Sequence, residues 1–458
     1  MDNIELKKLI EIQDKFFQSG ATQDPGFRIK ILCRLRDRIK SLDAEICEAL
    51  RHDLGKHPFE SYASEHGLAL QEIRIMCKNL RKWSRPRKVY TPMVHWVARS
   101  FYLNQPYGRV LIISPWNYPF QLLFMPLIGA VAAGNCVIAK PSRHAVHTSR
   151  IMKKIIEEVF DPGHVALVEG GSGINRFLLE AQFDYIFFTG STDVGKKVME
   201  AAARHLTPVS LELGGKSPAV VEPGVHLALT AKRILWGKLL NAGQSCVAPD
   251  YLLVHKSIKQ ALLLEMKKYL ERAYGPELRS NPDYARIINR ANTEELAGLL
   301  EGREILIGGE CDPAERYLAP TVLEVRDPED PLMKKEIFGP ILPLVEYGDL
   351  EEALGIIRGK PKPLALYIFS RSEKTRQRIL RETQSGSGGL NETVVHFVNL
   401  NLPFGGVGKS GMGRYHGRYS FETFSYKRSF LKKAGWIDIP VRYPPYGNKL
   451  WLIKRLIR

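Results

Sequence analysis

Three stretches at the start of the chain carry helical periodicity. Leu6, Leu9, Ile10, Phe16 and Phe17 fall near one helical face. Phe27, Ile31, Leu35, Ile39, Leu42 and Ile46 follow at spacings of three and four, which predicts a second helix; a third covers about 64–83. From about residue 104 the pattern changes to short apolar runs, each closed by proline or glycine: VLIIS (110–114), CVIAKPS (136–142), HVALVEGG (164–171) and YIFFTG (185–190). Helical stretches at 146–159 and 192–204 lie between them. The alternation resumes with SPAVVE (217–222), a helix over 226–241, YLLVH (251–255) and a helix over 257–273. Strands alternating with helices predict βαβ units and an α/β fold of doubly wound, mostly parallel sheets.

Residues 110–139 hold no charge and are long enough to span a bilayer. Pro115, Pro119 and Pro126 would each cost backbone hydrogen bonds in lipid, so a buried strand, turn and helix is the expectation. The opening MDNIELKKLIEIQDKFF carries acids early and has no apolar core, unlike a signal peptide. With 458 residues, about three domains' worth, the chain buries large cores without disulfide or metal staples. Its six cysteines form no CxxC pair, which points to a reducing, cytoplasmic setting and to no metal site. The net charge of 66 − 49 = +17 invites a nucleic-acid reading. Acids interleave with the bases nearly everywhere except at the C-terminus, so the excess reads as a solvated surface and no nucleic-acid partner is expected.

Three residues stand out chemically. Cys246 in NAGQSCVAPD (241–250) sits among small residues that leave space near its sulfur, and a thiolate there is a good nucleophile. Alone, such a cysteine is structural more often than catalytic. Glu212 in PVSLELGGKSPAVV (208–221) lies in an apolar, glycine-rich run, where burial raises a carboxyl toward the range of a usable base. A buried glutamate bonded to glycine amides would look the same. Asn117 in SPWNYPF (114–120) interrupts an apolar run just after a strand, where α/β proteins place ligands. Its amide suits a developing oxyanion, and it equally suits turn capping.

Seven motifs occur in one fixed order: SPWNYPF, CVIAKPS, FTGSTDVGK (188–196), LELGGKSP, NAGQSCVAPD, EIFGP (336–340) and LPFGGVGKSGMGRYHGRYSFETFSY (402–426). Together they resemble the aldehyde dehydrogenase superfamily over nearly the whole chain. MGRYHG and YPPYGNK are most similar to its class 3 branch, which takes fatty and aromatic aldehydes. The resemblance implies NAD(P)-dependent oxidation of aldehydes to acids. Cys246 would attack the carbonyl to give a thiohemiacetal, with the Asn117 side chain and the Cys246 backbone N–H as oxyanion hole. Hydride transfer to nicotinamide would leave a thioester, hydrolysed with Glu212 as general base. Passing the acyl group to coenzyme A is the competing outcome, and a hydrolytic base speaks against it.

The same resemblance implies the cofactor set. Gly190 and Ser191 would open a helix whose free N–H groups bind the pyrophosphate, and Lys140 would bond the adenosine ribose. Glu336 would hold the nicotinamide ribose with Phe338 beside it, and Ser142, Gly195 and Leu213 complete the set. Arg143 stands where the family often has a glutamate that reads the ribose hydroxyls. A cation there suits a 2′-phosphate, so use of NADP beside NAD is expected. Tyr118, Trp236 and Phe404 are the aromatic candidates for the aldehyde tunnel.

The implied division is a discontinuous dinucleotide-binding domain (1–83 and 104–210), a catalytic domain (211–414) and a small β bridging element (84–103 and 415–440). A homodimer is expected. Residues 442–458, RYPPYGNKLWLIKRLIR, carry five basic residues, no acid, and apolar Leu450, Trp451, Ile453, Leu456 and Ile457. This tail suits either a membrane surface or the partner subunit.

Overall fold

A computed structural model describes residues 3–95, 97–438 and 440–456. The opening helix, Asn3–Gln18, buries Leu6, Leu9 and Gln13 and leaves Phe16 half-buried, stacked on the His164 ring. The expected second helix is two: Pro25–Ser41 and Asp43–Leu54. Its apolar spacing runs through the break because Leu42, between the helices, is itself buried. The third helix is Gly67–Trp83, preceded by a π turn over Tyr62–His66.

Residues 109–140 form the expected buried strand, turn, helix and strand: Arg109–Ile113, Pro119–Ala133 and Cys136–Lys140. Every residue of the middle helix is buried, Pro126 included. These strands belong to a six-stranded sheet ordered Gly411–Met412, Val209–Glu212, Tyr185–Thr189, Arg109–Ile113, Cys136–Lys140, Val165–Leu167. All neighbours are parallel except the first pair. From Arg109–Ile113 the chain winds outward through 136–140 and 165–167, then returns to the other side at Tyr185–Thr189. That reversal opens a crevice at the strand C-termini.

A seven-stranded sheet follows, ordered Ile305–Ile307, Thr321–Glu324, Ile341–Tyr347, Tyr251–His255, Pro218–Val221, Ala365–Phe369, Ser387–Leu390, parallel except at its first pair. Arg87–Val89, Ala98–Pro106 and Ser425–Lys433 make a separate antiparallel sheet. Strand Val209–Glu212 straddles the expected division at 210/211, and Gly411–Met412 returns from beyond the second sheet to pair with it. The tail carries a short helix, Leu450–Leu456, with Leu450 and Trp451 exposed; Ile457 lies outside the described residues.

Candidate active site

Cys246 and Glu212 face one cavity of about 660 Å³. Each arrives from a different sheet. Glu212 is the last residue of its strand in the six-stranded sheet, whereas Cys246 lies in the loop leading into Tyr251–His255. That loop turns tightly: Asn241 (φ 52°), Ala242 (φ 51°) and Gly243 (φ 76°) are consecutively left-handed. Glycine is required at 243, since a Cβ there would stand 2.2 Å from the Gly339 carbonyl of EIFGP. The two motifs are thereby held backbone to backbone.

Glu212 is 3% exposed and neither carboxylate oxygen has a hydrogen-bond partner among the described residues. Burial pushes its carboxyl well above the usual range, opposed only by Arg414. A buried, unpaired carboxylate costs stability, which fits a group kept free for chemistry. The Cys246 thiol is also raised, first by burial and then by the charges of Glu336 and Glu212; the backbone N–H groups of Cys246 and Val247 offset part of this.

Asn117 is 2% exposed. Its Nδ2 donates to the Gln244 carbonyl at 3.1 Å, two residues from the thiol. One amide hydrogen is thus engaged; Asn117 itself is not among the residues lining the cavity. Tyr118, Trp236 and Phe404 all line the cavity with Cys246 and Glu212. Tyr118 and Phe404 are buried, and Trp236 is exposed on one side.

The cofactor candidates lie outside the lining of that cavity, several of them where strands end and helices begin. Lys140 ends its strand, 3% exposed, with Nζ donating to the Pro141 carbonyl at 2.7 Å. Burial lowers its ammonium to about 8, with Arg143 adding to the shift and Glu169 opposing it. Ser142 accepts from the His144 amide at 3.3 Å. Ser191 caps helix Thr192–Ala203, with Gly190 just before it, and Leu213 packs over Gly195 of that helix. Glu336 lies over the glycine pair of LELGG: a Cβ at Gly214 would fall 1.8 Å from its Oε2. Burial raises the Glu336 carboxyl to about 8, with Asp250 adding to it, while the Gly215 N–H, Lys216 and Lys238 pull it back. Phe338 holds a left-handed φ of 58° and meets Trp116 edge to face. Arg143 is exposed, its guanidinium beside Gly171. A buried lysine at a strand end, a carboxylate over a glycine pair and the N–H groups of a helix start are groups that fit a nicotinamide dinucleotide.

Several neighbours were not visible in sequence. Lys238 is fully buried, its Nζ without a hydrogen-bond partner among the described residues, and burial lowers it to about 8. A lone charge in the apolar run ILWGKLL is the signal that marks it. Arg414 beside Glu212, and Lys56 and Glu65 beside Asn117, gave no such signal, because charges in mixed surroundings read as surface.

A doubly wound parallel sheet whose strand end carries Glu212 into a cavity shared with the Cys246 thiol is the frame of a dinucleotide-dependent oxidoreductase. The chain belongs to the aldehyde dehydrogenase family, whose model matches residues 1–430, and it is an NAD(P)-dependent enzyme oxidising aldehydes to acids. It is 45% identical to the 4,4'-diaponeurosporen-aldehyde dehydrogenase of Staphylococcus aureus, over 97% of each chain. It is 44% identical to aldehyde dehydrogenase family 3 member A2 of Mus musculus, over 96% of this chain and 92% of that one. A solved structure described as the substrate-bound state of Staphylococcus aureus AldH superposes with a TM-score of 0.97, 44% identical over 99% of each chain.

Proposed function

We propose that Cys246 is the nucleophile, Asn117 and the Cys246 backbone N–H the oxyanion donors, and Glu212 the hydrolytic base. The observation that carries this is the shared cavity holding a thiol and a carboxylate with both oxygens free. The thiol, once its proton is lost, attacks the aldehyde carbon; the Asn117 amide and the Cys246 N–H meet the charge forming on oxygen. When bound, the nicotinamide supplies the hydride acceptor that turns the thiohemiacetal into a thioester. Glu212 then takes a proton from water, which attacks the thioester and frees the thiolate. Lys140, Ser142, Gly190, Ser191, Gly195, Leu213, Glu336 and Phe338 would hold the cofactor, and Arg143 favours NADP beside NAD.

Tyr118, Trp236 and Phe404, with Leu122, Leu239 and Tyr269, suit an apolar medium or long aliphatic or aromatic aldehyde. We read residues 1–83 with 104–210 as the dinucleotide-binding domain, 211–414 as catalytic, and 84–103 with 415–440 as bridging. The nine-residue edge strand Ser425–Lys433, exposed along most of its length, supports a homodimer. Six free thiols support a cytoplasmic enzyme.

The test is a rapid-mixing measurement. Glu212→Gln gives one burst of reduced cofactor per site and then stalls, whereas Cys246→Ser gives no burst. Parental steady-state turnover in Glu212→Gln would overturn the base assignment.

A further inference from the structure

The oxyanion donor stands on a frame that the proposed chemistry leaves unexplained. Lys56 and Glu65 form an ion pair at 2.5 Å with both side chains fully buried. Taking two charges out of water is costly, and an isolated pair of this kind is often no better for stability than apolar side chains. What the pair touches is therefore informative. Lys56 Nζ donates to the Asn117 carbonyl at 3.3 Å and lies 4.0 Å from the centre of the Tyr118 ring. Glu65 Oε2 accepts from the amides of Phe120 at 3.1 Å and Gln121 at 3.0 Å.

Those two amides belong to the first turn of helix Pro119–Ala133, whose N-cap, Tyr118, supplies no side-chain cap. A carboxylate from 55 residues away fills that role and lies favourably at the helix N-terminus. The Asn117 carbonyl is held a second time by Asn241 Nδ2 at 2.7 Å, from the turn that leads to Cys246. The Asn241 backbone N–H in turn donates to Glu60 Oε1 at 2.7 Å. The segment 56–65 therefore grips both SPWNYPF and NAGQSC.

We propose that the Lys56–Glu65 pair is a positioning device for Asn117, fixing its main chain so that the free amide hydrogen stays aimed at the reacting carbonyl oxygen. This rests on the oxyanion reading of Asn117. Oxyanion donors act through preorganisation, and loss of one costs about a hundredfold to a thousandfold in rate. Loosening the donor forfeits part of that.

The experiment is a double-mutant cycle read by the pre-steady-state burst rate with saturating cofactor. Lys56→Met/Glu65→Gln removes both charges at similar volume and leaves an acceptor for the helix amides. In the parent background its burst rate falls about tenfold to a hundredfold, while the KM for cofactor is unchanged. In an Asn117→Ala background the same pair of substitutions causes no further loss. No loss in the parent background, or an equal loss in both, overturns the positioning role. A normal burst in Asn117→Ala alone instead overturns the oxyanion reading. Should the paired variant fail to fold, Glu65→Asp keeps the charge but shortens its reach to Phe120 and Gln121, and the same cycle applies to it.

Discussion

Replacing Arg143 by glutamate puts a carboxylate where the structure offers an unengaged cation. Arg143 is exposed and has no hydrogen-bonded or ion-paired partner among the described residues. Glu169, the acid felt by the neighbouring Lys140, is held by Lys153 at 3.5 Å. At ~4 Å a guanidinium and a phosphate charge attract by about 1 kcal/mol in water and about 4 kcal/mol at an effective dielectric near 20. Exposure places Arg143 toward the lower figure, about 1.5 kcal/mol, or roughly tenfold in affinity. Glutamate turns that attraction into a repulsion of similar size, so the total change is about 3 kcal/mol, roughly a hundredfold. NAD lacks the 2′-phosphate and gains a partner for its ribose hydroxyls. The assay is kcat/KM with both cofactors, in parent and Arg143→Glu, at low and moderate salt. The NADP/NAD ratio falls by roughly a hundredfold, and the parent's ratio declines with salt because the contact is screened. A ratio unchanged within twofold shows that Arg143 does not read the 2′ position.

Gly214→Ala drives a methyl group into the space of the Glu336 carboxylate; the KM for cofactor rises about tenfold, as it does in Glu336→Gln, and an unchanged KM refutes the assignment. The Cys246 thiol is raised by burial and by the Glu336 and Glu212 charges, so the burst rate climbs with pH on its acid side. Removing either charge in Glu336→Gln or Glu212→Gln moves the midpoint of that limb to lower pH, and an upward move contradicts the electrostatic account. If the exposed Leu450 and Trp451 among basic residues meet a membrane surface, the full chain sediments with anionic vesicles at low salt and a chain ending at Gly447 does not; equal partitioning leaves the partner-subunit reading of the tail.

The strands and the candidate site residues are legible because their signals are local. CVIAKPS and YIFFTG are apolar runs with terminators, and each becomes a strand ending within two residues of its proline or glycine. Cys246, Glu212 and Asn117 stand out by their unlikely company; Cys246 and Glu212 line one cavity, while Asn117 reaches the loop before the thiol through the Gln244 carbonyl. What escaped was long-range. Leu42 and Ile46 continue the spacing of the preceding helix although the helix breaks at Leu42, since a buried linker keeps the same apolar code. Lys56 and Glu65 look like surface charge until Asn117, Phe120 and Gln121 come to meet them.

The return of the chain's end to its beginning also bears on the order of synthesis. Gly411–Met412 pairs with the strand that ends in Glu212, and Ser425–Lys433 flanks Ala98–Pro106. The Asn135 side chain donates to the Phe424 carbonyl at 2.9 Å, and the buried Glu72 accepts from the Gly417 amide at 2.9 Å across 345 residues. Contacts so distant in sequence close late, after the loop entropy between them has been overcome. A growing chain that still lacks these last segments therefore has its thiol already made but its cavity without the wall that Tyr415 supplies. By this reasoning, competence to turn over aldehyde awaits the segments that close the cavity.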